Sequence, residues 1–93
     1  MNKYLAEFIG TAILIYVFVA TMNPIAIGAT IAILFLVLKE ISGGHVNPAV
    51  SLVMASYGKL ETNDLMPYIF SQIAGGLVGL ELYKKYPYDS MTL

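Results

Sequence analysis

Apolar residues fill this chain in three long blocks, and the polar residues between them come in short, distinct groups. The first block runs from about Tyr4 to Met22, long enough as a helix to cross a hydrocarbon core of about 30 Å. Asn23-Pro24 is a two-residue link, so the next block is expected to return antiparallel beside the first. Pro24 suits the first turn of a helix, where its missing N–H has no intrahelical partner to lose. The second block covers Pro24 to about Ile41, with Lys39 and Glu40 marking its exit into the interface. The third covers about Leu65 to Tyr83. It follows a polar turn, Gly58-Lys59 and Glu61-Thr62-Asn63-Asp64, in which Asn63 or Asp64 is expected to cap the helix.

A different pattern lies between the second and third blocks. Ser42-Gly43-Gly44-His45-Val46-Asn47 is polar and glycine-rich, and Pro48 to Tyr57 then reads as a short apolar helix. About ten residues at 1.5 Å each span about 15 Å, half a bilayer. Irregular backbone at membrane depth survives only where it is buried in protein or lines a water-filled path. The pattern therefore predicts an all-α membrane protein: three transmembrane helices (4–22, 24–41, 65–83) and one re-entrant half-helix (48–57). These form a single unit over 1–83, followed by a polar tail, 84–93.

Composition strengthens that picture. Hydrophobic residues make up 58% of the chain and charged residues 12%, about half the charged fraction of a soluble domain. Mean hydropathy is +0.75. Net charge is −1 with no Arg, so the basic stripe that nucleic acid requires is missing. With no Cys and one His, thiolate sites are excluded, and neither a metal nor a cofactor is expected. The ionisable groups inside the blocks are few and unpaired, which argues against an enzyme. Lys3 before an apolar run permits a cleaved leader, but Glu7 interrupts the run and no Ala-x-Ala follows. The first block is therefore expected to remain as a span.

The chemistry concentrates at Asn47-Pro48-Ala49. Asn is a strong N-cap and Pro is favoured at the next position. If the Asn47 carbonyl oxygen caps the helix, its amide N–H₂ must point away into whatever lies in front. The helix N-terminus adds a partial positive charge of about half an electron. A donor in a positive field at mid-depth orients water by its oxygen and repels cations. Upstream, Gly43 and Gly44 are expected to let the backbone run extended, so that the carbonyls of Gly43, Gly44, His45 and Val46 face the path. The plain alternative is an ordinary helix start after a loop, and the tripeptide alone does not decide between them. Its setting between lipid-grade helices favours a pore element. Ala6 with Gly10, and Gly75 with Gly79, are small-xxx-small pairs that let helices approach closely in lipid. Tyr57, Tyr68, Tyr83, Tyr86 and Tyr88 fit an aromatic belt at the membrane surface.

Ile41 to Val50 resembles the first signature loop of the aquaporin (major intrinsic protein) family. Ala6-Glu7-Phe8-Ile9-Gly10-Thr11 is similar to the opening of that family's first helix, and Ser71-Gln72-Ile73-Ala74-Gly75-Gly76 to its third. The resemblance covers about 1–83, one half of a six-span inverted repeat with two Asn-Pro-Ala loops. It implies a passive channel, in the cell or inner membrane, for water or small uncharged solutes. Glu7, otherwise readable as an interfacial acid or a proton carrier, becomes by resemblance a buried carboxylate supporting the loop, with Gln72 beside it. His45 braces the loop. Filter positions implied by resemblance are Ile27, Phe35, Gly44 and Val50. Val50 stands where the family's second loop carries an Arg. This set is apolar, which suggests small neutral solutes such as glycerol alongside water.

One half-helix leaves Asn47 and its carbonyls facing lipid, at several kcal/mol per unsatisfied group. A second half must cover them, and an inverted copy is the simplest. Lys3, Lys39 and Lys59 fall on one side and Lys84 and Lys85 on the other, a weak bias under the positive-inside rule. The expected pore unit is an antiparallel homodimer in the lipid bilayer, with grouping of such pores into a higher oligomer. The competing expectation is a non-conducting half-subunit or fragment that pairs with and modulates a full-length channel.

Overall fold

The computed structural model describes residues 1–88, in which four helices follow one another and no strand occurs. They are α1 (Lys3–Thr21), α2 (Pro24–Leu38), α3 (Pro48–Ser56) and α4 (Thr62–Lys85). The fold is all-α, and α1 and α4 are long and apolar enough to cross a membrane.

Three of the four helices start on an asparagine. Asn2 Oδ1 accepts from the Tyr4 and Leu5 amides, and Asn23 Oδ1 from those of Ile25 and Ala26. Asn47 Oδ1 accepts from Ala49 at 2.8 Å. In each case one side-chain oxygen satisfies donors that the first turn leaves unpaired. Helix α4 differs from expectation. It starts at Thr62 from Glu61, with no side-chain cap, so neither Asn63 nor Asp64 serves there. Asp64 lies inside the first turn and turns to α1 instead. Its Oδ2 meets Lys3 Nζ at 2.7 Å, and its Oδ1 accepts from the Tyr4 hydroxyl at 2.6 Å. An ion pair reinforced by a hydroxyl outweighs one capping bond.

Those contacts put the starts of α1 and α4 at the same end. Further along, a Cβ at Gly75 would fall on the Phe8 carbonyl, and one at Gly79 on the Ala12 carbonyl. Tyr16 then packs edge-on to Tyr83, ring centroids 5.8 Å apart. Partners advance together along both helices, so α1 and α4 run parallel in backbone contact. The second small pair serves another neighbour. Ala6 is fully buried with Leu34, Leu38 and Val46, and a Cβ at Gly10 would lie 2.8 Å from both Leu38 and Val46. This face of α1 receives the end of α2 and the loop after it.

Helix α2 stops at Leu38, three residues before its expected end. The Leu38 carbonyl accepts from the amides of Ile41, Ser42 and Gly43, which curls the chain off the helix axis. Lys39 and Glu40, both exposed, lie on this curl. The fifteen residues of α2 rise about 22 Å, short of a bilayer core. At the other end of the chain, helix continues to Lys85, so the expected tail begins inside α4. The Tyr16 hydroxyl donates to the Tyr86 carbonyl at 2.6 Å. Residues 89–93 of the expected tail lie outside the described residues.

Candidate functional site

The loop between α2 and α3 does not run extended. Gly43 has φ +95°, Gly44 +63° and Val46 +46°, so it coils through left-handed conformations. Two glycines make this cheap. At Gly43 a side chain would also strike the His45 ring, 2.9 Å from Nε2, and at Gly44 the Phe35 backbone, 3.1 Å from Cα. Val46 has no such freedom. A β-branched residue in this region costs about 1–3 kcal/mol and persists only where its surroundings impose it.

Glu7 imposes it. The side chain is fully buried on α1 and its two oxygens gather four donors. Oε1 accepts from the Val46 amide at 2.7 Å and from Gln72 Nε2 at 2.9 Å. Oε2 accepts from the Ser42 hydroxyl at 2.6 Å and the His45 amide at 3.2 Å. The lone-pair capacity of a carboxylate is about four sites, so this one is filled. Val46 adds its side chain to the Ala6–Leu34–Leu38 cluster, which fixes the backbone from the other side.

Two further residues complete the cradle. Ser51 Oγ on α3 lies 2.8 Å from His45 Nδ1 and accepts from Gln72 Nε2 at 2.8 Å. With its oxygen occupied by Gln72, the Ser51 hydroxyl hydrogen is free to donate to Nδ1, the simplest assignment of this network. Tyr68 on α4 donates its hydroxyl to the Ser42 carbonyl at 2.6 Å and lays its ring beside His45. Glu7, His45, Ser51 and Gln72 thus form a closed circuit of hydrogen bonds. Its corners come from α1, the loop, α3 and α4.

Sequence reading placed Tyr68 in an aromatic belt. It is instead 2% exposed and holds the loop; a hydroxyl one turn before Gln72 gains more from the Ser42 carbonyl than from the interface. Tyr57, Tyr86 and Tyr88 are exposed and Tyr83 is half-buried. Ser51 drew no notice as a site residue, although it stands one turn after Asn47. Asp64, Tyr68 and Gln72 recur every fourth residue along α4, and Thr11 follows Glu7 by the same step. That spacing of polar residues through apolar helices was the available signal.

Asn47 is exposed in the isolated chain, its oxygen engaged by Ala49 and its amide nitrogen without an acceptor among the described residues. The carbonyls of Gly43, Gly44, His45 and Val46 accept no hydrogen bond there either. Asn47, Val46, Thr11, Gln72, Gly76 and Ile27 border a groove of about 600 Å³ between α1, α4, α2 and the loop. Of the expected filter set, Ile27 lines this groove. Phe35 and Gly44 meet each other, and Phe35 and Val50 are exposed. No cluster of His, Cys, Asp or Glu fit to hold a metal occurs among the described residues.

Known proteins place this geometry. The Major intrinsic protein family matches residues 1–91. The chain is 45% identical over 60 residues to Aquaglyceroporin AqpS of Rhizobium meliloti, covering 64% of this chain and 26% of that protein. It is 35% identical over 95 residues to Glycerol uptake facilitator protein-like 6 of Lactiplantibacillus plantarum, covering 92% and 44%. To Aquaporin-8 of Mus musculus it is 37% identical over 91 residues, covering 86% and 35%. The chain thus spans between a quarter and under half the length of these relatives. No solved structure matches at a significant level. A buried glutamate holding a glycine-rich Asn-Pro-Ala loop between apolar helices, with a match along nearly the whole sequence, makes this chain a member of the major intrinsic protein family of integral membrane channels.

Proposed function

We propose that this chain supplies one half of a passive path for water and small uncharged solutes, closed at mid-depth by a second half presented upside down. The observation that carries the reading is Asn47. Its oxygen is spent on capping α3, so its N–H₂ stands free at a positive helix end, on the border of an otherwise largely apolar groove. Val46, whose carbonyl is also unpaired, borders the same groove, while Gly43, Gly44 and His45 do not line it. Such a wall offers a donor and an acceptor to a neutral hydroxyl and a barrier to cations.

An inverted copy of the same chain is the simplest second half. Exposed Asn47 and unpaired carbonyls cannot face lipid without large cost, and the lysines favour neither orientation strongly. In that dimer Ile27 of one copy joins Phe35, Gly44 and Val50 of the other at each mouth. With no Arg available, the mouths are apolar and pass small neutral solutes as well as water. Relatives named as an aquaglyceroporin and a glycerol uptake facilitator support that breadth. The exposed Asn47 face would equally be covered by the other half of a longer channel, which gives a second reading: a non-conducting half that pairs with such a channel and modulates it.

The test is reconstitution of the purified chain alone in lipid vesicles. Stopped-flow light scattering should record osmotic shrinkage faster than in empty vesicles, and crosslinking should capture dimers with termini on both faces. Shrinkage equal to empty vesicles, changing only when a longer channel is added, would establish the second reading instead. Asn47→Asp replaces a free donor with a negative charge. Cation leak through vesicles should rise by about tenfold, the equivalent of about 1.4 kcal/mol off the barrier; unchanged leak would contradict the donor argument.

A further inference from the structure

Two residues that border the groove, Thr11 and Gln72, each hold a buried oxygen that the loop cradle does not use. Thr11 Oγ1 and Gln72 Oε1 have no hydrogen-bond partner among the described residues, although Thr11 is 5% and Gln72 1% exposed. Orphaned buried polar atoms are rare, and each asks for a partner. The orientation of the Gln72 amide follows from its surroundings. Its nitrogen donates to Glu7 Oε1 and Ser51 Oγ, and exchanging the two amide atoms would set a carbonyl oxygen against a carboxylate. Oε1 is therefore pinned on the side away from the cradle.

Thr11 stands one turn beyond Glu7 on α1, and Gly76 one turn beyond Gln72 on α4. A Cβ at Gly76 would lie 3.7 Å from Thr11 Cγ2, so Thr11 faces the same stretch of α4. Both residues border the groove that Asn47 borders. One oxygen can only accept; the other, a hydroxyl, can donate or accept. A small molecule carrying an O–H and seated between them would donate to Gln72 Oε1 and exchange a hydrogen bond with Thr11 Oγ1. Two polar partners are the fewest that hold a buried water.

We propose that Thr11 and Gln72 form a second polar station on the groove wall, which binds one water molecule or the hydroxyl of a small neutral alcohol. The inference deepens the channel reading and rests on it for the role of the station in transport. Permeants then meet a side-chain acceptor pair on the α1–α4 wall, as well as the Asn47 donor.

The experiment uses the full chain in lipid nanodiscs with threonine methyl groups labelled. Magnetisation transfer from water to the Thr11 methyl should carry the sign of a long-lived contact. Glycerol added in deuterated water separates the sources: transfer from glycerol protons identifies an alcohol site, and its absence a site for water alone. Thr11→Val removes the hydroxyl at constant shape. It should lower Tm by a few degrees and slow water flux about threefold, while Thr11→Ser keeps both near the parent values. No transfer from either source, together with a Tm for Thr11→Val at or above the parent, overturns the station, since a dry orphan hydroxyl is better replaced by a methyl group. Neither transfer nor Tm depends on flux. Vesicles that fail to conduct while transfer persists would remove the passage and leave the station standing.

Discussion

Glu7→Ala should cost this protein its folded loop. Four donors lose their acceptor at once: the Ser42 hydroxyl, the His45 and Val46 amides, and Gln72 Nε2. A buried donor left unpaired costs about 1–3 kcal/mol. Some of the four will find water or rearrange, so a total of about 3–5 kcal/mol is expected, in line with removing one member of a buried polar network. The strained Val46 backbone adds to the effect, because the hydrogen bond from its amide that holds φ at +46° disappears with the carboxylate. Glu7→Gln tests the mechanism more finely. It keeps the volume and one oxygen but places an N–H₂ among groups that already donate. Its loss of stability should fall between parent and Ala. Thermal unfolding in detergent measures stability, and vesicle flux measures loop geometry. Parent-like Tm and flux in Glu7→Ala would remove the carboxylate from its structural role.

The second large effect belongs to the α1–α4 seam. Gly75 and Gly79 sit where any Cβ would overlap the Phe8 and Ala12 carbonyls. The obstacle is backbone, which cannot turn aside as a flexible side chain can. Gly75→Val and Gly79→Val must drive the helices apart. Overpacking ordinarily costs about 1–3 kcal/mol per site, and separation here also breaks contacts that the cradle needs, since Glu7 lies on one helix and Gln72 on the other. The double variant should fail to accumulate as folded protein. Gly28→Ala is the control. Nothing lies within 4 Å of its Cβ position, and losing a mid-helix glycine should leave stability unchanged or raise it by about 0.5–1 kcal/mol. Size-exclusion profiles and Tm values decide; a well-folded double variant would mean that the seam tolerates spacing.

The sequence carried the apolar helices plainly, because lipid-grade hydropathy needs no tertiary knowledge. The helix starts at Pro24 and Pro48, and the Asn47 cap, were equally clear, since proline at a first turn and Asn-Pro have a local meaning. What escaped was decided between elements. Gly43 and Gly44 accept an extended or a left-handed backbone with equal ease, and the choice was made by the Leu38 carbonyl and by Glu7. The conformation of Val46 runs against its own preference and no local rule could supply it. Tyr68 looks like an interfacial residue by type and position near a span end; only its place in the Asp64–Tyr68–Gln72 row marks it as interior. The early end of α2 likewise depends on amides from the next segment turning back to Leu38.

The closed circuit through Glu7, His45, Ser51 and Gln72 constrains how such a chain can drift over generations. Glu7, Ser51 and Gln72 each answer to two others through their side chains, so an exchange at one of them leaves a mismatch at both neighbours; His45 meets Glu7 through its backbone amide, so an exchange there leaves a mismatch at Ser51 alone. Replacement of Ser51 by a residue unable to serve both the imidazole and the amide would need a matching change at His45 or Gln72 to be kept. Inheritance through this part of the molecule should therefore move in linked sets, while the outer surface of α2, which answers only to its surroundings, is free to wander one residue at a time.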